Sequence, residues 1–188
     1  VTLRFLRRSA SLRLARMAVS LDGAWPLLIA ELLALRQRGL RVAVSQPEAL
    51  ARVLADAERV GLGDEDLRGT LLGMPAPRSS VRLEMELEAP MWRLSATEPA
   101  AAMEAGGSLP CTMRATLPRE YPLLPPMERH GGGLEVAAPG SLGREASRVV
   151  SRAAHAHLSG LADATASRAG GAAEPAEYLA AMAEWVQG

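Results

Sequence analysis

An alternating run ends in a cluster of prolines near the middle of the chain, and this junction most constrains the fold. Leu109, Cys111, Met113, Ala115 and Leu117 alternate with Pro110, Thr112, Arg114 and Thr116, and Pro118, Pro122, Pro125 and Pro126 follow. A period of two places the apolar side chains on one face of a strand. Pro122 and Pro126 each fix φ and remove a backbone donor, so the strand must leave its sheet here.

The same period recurs upstream. Val81, Leu83, Met85 and Leu87 alternate with Arg82, Glu84, Glu86 and Glu88, a half-buried strand that Ala89-Pro90 ends. Trp92, Leu94 and Ala96 alternate with Arg93, Ser95 and Thr97, which predicts a second strand. Three strands joined by short connections favour an antiparallel meander with one solvated face. A short fourth strand fits Leu134 to Ala137, beyond Gly131-Gly132-Gly133.

The period then becomes helical. Leu142, Ala146, Val149, Val150, Ala153, His157, Leu161 and Ala164 form one stripe, with Ser141 as the expected N-cap. After Gly170-Gly171, Pro175 opens a last helix whose stripe is Tyr178, Leu179, Met182, Trp185 and Val186. Towards the N-terminus, Pro26 opens a helix over residues 27–38 that Gly39 stops, Leu40 to Val44 reads as a short extended piece, and Gln46-Pro47 starts a second helix with Leu50, Val53, Leu54 and Ala57 on one face. Asp64 caps a third, short helix with Leu67, Leu71 and Leu72. These patterns predict an α+β fold. It is a two-layer sandwich of a three- to four-stranded antiparallel meander packed by C-terminal helices (residues 76–188), with a helical N-terminal extension (residues 1–75).

Composition narrows the chemistry. The chain has 188 residues, three Trp, two Tyr and one Phe, so its core is built from Leu, Val, Ala and Met. All 21 basic residues are Arg, which removes a P-loop lysine, a Schiff base and a lysine general base. Net charge is zero, giving no overall case for nucleic acid, and no apolar run reaches membrane-spanning length. Residues 1–20 hold Arg4, Arg7, Arg8, Arg13 and Arg16 and no acid. That is the composition of a mitochondrial or plastid transit peptide, of a basic helix, or of sequence ahead of Met17. Without such targeting the expectation is cytoplasm or nucleus.

The order of strands, Tyr121-Pro122 turn, short strand, long helix and short helix resembles the RWD domain, the non-catalytic branch of the ubiquitin-conjugating-enzyme-like folds, over residues 76–188. Tyr121, Pro122 and Pro126 match that family's YPxxxP signature, and Glu184-Trp185-Val186-Gln187 looks like the end of its closing helix. In physical terms Tyr121 buries its ring and satisfies a backbone group with its hydroxyl; the same letters also describe a plain proline-rich loop. The segment just before Val81 is a poor copy of the family's opening helix, and residues 1–63 have no counterpart in it. The resemblance implies an adaptor that binds a kinase, a ligase, a GTPase or a kinetochore-type subunit.

Active relatives carry a cysteine nucleophile beyond the Tyr-Pro turn, in a stretch holding His-Pro-Asn. Here no Cys follows Pro126, no Asn exists, and His130 precedes glycines, so a thioester has no carrier. Cys111, in phase with Leu109 and Met113, is expected in the core. His155 and His157 lie two apart on a helix and face different ways, and with His130 and Cys111 they make no zinc spacing. No enzyme activity, metal or cofactor is expected. Candidate interaction surfaces are the strand face with Arg82, Glu84, Glu86 and Glu88, the ridge Arg144, Arg148 and Arg152, which is either a solvated face or an acid-docking one, and the 27–38 helix with Leu32 and Leu35, packed on its own domain or on a partner. The alternatives are an inactive conjugating-enzyme-like variant that binds ubiquitin-like proteins or assists a ligase, and an organellar RNA-associated protein using its Arg-rich start.

Overall fold

The computed structural model of the protein describes residues 24–46, 48–60, 80–94, 106–168 and 176–188. Helix α1 (Ala24–Gln37) leads into strand β1 (Arg41–Gln46) and helix α2 (Glu48–Val60). Strand β2 (Val81–Pro90) runs into a single helical turn, α3 (Met91–Leu94), and strand β3 (Ser108–Leu117) follows. The proline turn connects β3 to strand β4 (Gly133–Ala137), and helices α4 (Gly143–Arg168) and α5 (Tyr178–Gln187) complete the described chain.

The four strands form one antiparallel sheet in the order β1-β2-β3-β4. The alternation seen in the sequence sets its two faces. Val81, Leu83, Met85, Leu87 and Ala89 of β2 are buried, as are Cys111, Met113, Ala115 and Leu117 of β3. Register places apolar residues opposite one another on that face: Val42 on Met85, Met85 on Met113, and Met113 on Val136. Ala146, Val150, Ala154 and Leu158 of α4, with Leu179, Met182, Ala183 and Val186 of α5, are the helical part of the core. The architecture is therefore the expected α+β sandwich, a four-stranded meander packed by C-terminal helices.

Three readings are corrected. The strand expected over Trp92–Thr97 is not there at its start: Met91 to Leu94 make one helical turn, and residues 95–97 lie outside the described residues. The third strand ahead of the turn is supplied instead by β1, so the extended piece at Leu40–Val44 is a sheet strand. The buried stripe of α4 runs at i, i+4, and Ala153 and Ala164, expected on it, are exposed. Ser141 sits inside a 3-10 turn (Gly140–Leu142) and caps nothing. The helix expected after Asp64, residues 1–20, and the side chains of Val53 and Ala57 lie outside the described residues.

The N-terminal segment is part of the same core. Leu28, Ile29, Leu32 and Leu35 of α1, Val42 of β1, and Leu50 and Leu54 of α2 belong to one buried cluster with the sheet and α5. Gly39 ends α1 with φ 85°, and Leu40 N–H bonds Leu35 C=O while Gly39 N–H bonds Arg36 C=O. This is a Schellman ending, which turns the chain sharply enough to start β1 at Arg41.

Side chains cap backbone groups at both outer edges of the sheet. On β4, Val136 N–H donates to Ser151 Oγ (2.9 Å), the same hydroxyl donates to Val136 C=O (3.0 Å), and Ala138 N–H donates to Ser147 Oγ (3.0 Å). On β1, Arg36 donates Nε and Nη2 to Val42 C=O at 3.2 and 2.7 Å. On β4 the capped groups would otherwise template a further strand, while on β1 one carbonyl is occupied.

Candidate docking site and the junction that supports it

The proline turn is a packed element. Pro118, Tyr121, Pro122, Pro125 and Pro126 are all buried, and the Tyr121–Pro122 peptide is cis. Gly132 lies against it: a Cβ there would meet Thr116 O at 2.7 Å and Pro118 Cδ at 2.9 Å. Tyr121 Oη donates to Glu31 Oε2 at 2.6 Å and accepts from Leu179 N–H at 3.1 Å, and Glu31 Oε1 accepts from Ala180 N–H at 3.0 Å. Two of the N–H groups that a helix leaves open in its first turn are therefore closed by residues from α1 and the turn. Ala176 N–H also bonds Pro122 C=O (3.1 Å), and the Tyr121 and Tyr178 rings lie 6.3 Å apart.

Glu31 is 4% exposed, the only charged or polar residue in the buried core described. Burial pushes its carboxyl up to about 7 from 4.5, against the bonds from Tyr121 and Ala180 that favour its anion. The same burial, with Glu31 beside it, pushes the Tyr121 phenol well above its ordinary value. These groups are sealed from solvent and bond one another across three elements, so they hold the junction together.

The expected interaction residues separate into three groups. Leu32 and Leu35 are fully buried and present no surface; this corrects their assignment to one. Arg82, Glu84 and Glu86 do face solvent, but Arg114 Nε holds Glu84 at 2.8 Å and Arg41 holds Glu86 at 3.3 Å, so the acidic stripe is neutralised from both neighbouring strands. Arg41 and Glu86 also border a shallow depression of about 490 Å³ along β1. Arg144, Arg148 and Arg152 are exposed on α4, with Arg148 near Glu145 at 3.6 Å.

The structure also assembles a cluster the sequence reading placed elsewhere. The Arg93 guanidinium carbon lies 4.4 Å from the Trp92 ring centre and 4.3 Å from that of Trp185, and His157 stacks on Trp185 at 5.3 Å with planes 17° apart. All four side chains are half-buried. Each cation–π contact contributes about 0.5–2 kcal/mol, depending on how far it is desolvated. Arg93 Nε is buried without a hydrogen-bond partner, and desolvation lowers the guanidinium's pKa. Burial first, and the Arg93 charge second, lower His157, which favours neutral imidazole. Trp92-Arg93 is visible in the sequence, but only the fold brings α5 and α4 to it.

His155 Nδ1 lies 2.8 Å from Ser151 C=O, and among the described residues no group of three or more His, Cys, Asp or Glu side chains could hold a metal ion. Cys111 is buried on the inner face of β3, and burial pushes its thiol up to about 11. Among the described residues no helix is long and apolar enough to cross a membrane. Neither family models nor curated proteins nor solved structures yield a match to the chain.

Proposed function

We propose that this protein is a non-catalytic protein–protein interaction module of RWD-like architecture, serving as an adaptor or scaffold subunit in a larger assembly. The observation that carries the reading is the position of the Tyr121-Pro122 turn. It follows the third strand of a four-stranded meander and precedes a short strand and two helices, the order on which the resemblance rests. Helix α1, immediately before β1, takes the place of the family's opening helix, which residues 76–80 fit poorly. The insertion then lies between β1 and β2 instead of ahead of the domain.

The chemistry supports the non-catalytic branch. A conjugating enzyme needs an accessible thiolate. The one thiol of this chain is walled into the sheet and held protonated well above neutral pH. The reading is tested by a charging reaction with an activating enzyme, ATP and ubiquitin, resolved without reductant. No thiol-sensitive adduct should form, and an adduct on Cys111 would overturn the proposal. Titration of ubiquitin or a related protein into labelled chain tests the other branch, in which the module serves a conjugating enzyme; shifts confined to one surface would favour that branch over a general adaptor.

A further inference from the structure

Trp92 and Arg93, His157 and Trp185 come from three elements, α3, α4 and α5. The exposed arginines Arg38, Arg41, Arg114 and Arg148 each have a carboxylate within ion-pair distance. Among the described residues Arg93 has none, and its Nε makes no hydrogen bond. Its Nε is sealed, while the residue as a whole is only half-buried and its Nη groups are not among the sealed atoms. A guanidinium held in place by indoles presents its donors as a fixed fork, matched end-on to a carboxylate, and little side-chain freedom is lost when one arrives.

We propose that this stack is the docking point for an acidic segment of a partner protein, one carboxylate lying end-on across the Nη groups of Arg93 between the indole edges of Trp92 and Trp185. The inference rests on the interaction-module reading and adds the chemistry of the partner. A single cation favours a protein carboxylate over a nucleic-acid backbone. The stack carries one cation, because the imidazole beside it favours its neutral form, whereas a phosphodiester backbone is bound by several. Trp and Arg in a partly desolvated cluster are also the side chains that dominate binding at protein interfaces.

The test uses the full chain and a fluorescein-labelled peptide of alternating Glu and Ala, with its Gln/Ala counterpart, at low salt. Anisotropy should show binding of the Glu peptide to wild type, about tenfold weaker binding to both Arg93→Gln and Arg93→Lys, and no binding of the Gln peptide. Arg93→Lys keeps the charge and removes the planar fork, so it answers the question if Arg93→Gln disturbs the fold. Thermal unfolding of both variants establishes that they are folded. Equal affinity for wild type and variants overturns the proposal, as does equal binding of the Gln peptide. Displacement of the Glu peptide by a phosphoserine peptide or single-stranded RNA at lower concentration overturns the choice of carboxylate. A natural partner whose binding ignores Arg93→Gln overturns this docking point and leaves the module reading standing; an adduct in the charging reaction overturns the reading itself.

Discussion

At the scale of single residues, the buried carboxyl of Glu31 has the clearest consequence. Its value in the folded chain, about 7, lies above the ordinary 4.5. Between these values the folded chain keeps a proton that the unfolded chain has released. The protonated carboxyl's contribution is therefore complete below about 4.5 and is lost as pH rises through about 7. At about 1.4 kcal/mol per pKa unit this is on the order of 3 kcal/mol. Glu31→Gln keeps an acceptor for Ala180 N–H, turns an amide donor towards the Tyr121 hydroxyl and cannot titrate, so the difference in urea stability between wild type and variant should change with pH across that window. A difference that does not change would contradict it. Tyr121→Phe keeps the ring but removes the acceptor of Leu179 N–H and the donor to Glu31 Oε2, leaving Glu31 only Ala180 N–H, and should cost about 1–3 kcal/mol in urea unfolding. Tyr121→Ala also opens a cavity, and should cost a further 2–4 kcal/mol or so.

At the scale of elements, strands and helices differ in how plainly the residues announced them. β2 and β3 were legible because ten residues alternate without a break and the inner side chains are buried throughout β2 and from Cys111 onward in β3. β1 has six residues and only Val42 and Val44 as inward apolar positions, and thirty-four residues separate it from the strand it pairs with, so periodicity alone leaves it as an extended scrap. Trp92, Leu94 and their neighbours imitate a strand because four residues of one helical turn also put alternate side chains on different sides. The docking stack was not legible at all: Arg93 and Trp185 are neighbours only through the packing of α3 against α4 and α5. Two outcomes belong at this scale. Replacing Ser147 and Ser151 together by Ala frees the β4 edge, and should lower stability by about 1–3 kcal/mol and raise self-association in light scattering. Gly132→Ala pushes a methyl into Thr116 O and Pro118 Cδ, and should cost about 1–3 kcal/mol unless the turn shifts.

For the molecule as a whole, α1 is the piece whose role changes most between sequence and structure. Five leucines on one short helix suggest either a patch for a partner or a buried face, and the structure chooses burial. Leu32→Asp or Leu35→Asp should therefore abolish binding by unfolding the chain, with loss of cooperative thermal unfolding by circular dichroism; a folded variant that merely fails to bind would contradict this packing. With that helix buried and Glu84 and Glu86 paired within the sheet, Arg93 stands apart from the exposed arginines as a half-buried guanidinium whose Nε has no partner among the described residues. The most direct measurement of the central claim is affinity capture of tagged wild type and Cys111→Ala from the protein's own cells, in parallel and after a moderate salt wash. A non-catalytic docking module predicts the same partner at the same stoichiometry on both chains. A partner retained only by wild type, while Cys111→Ala remains folded, would contradict it.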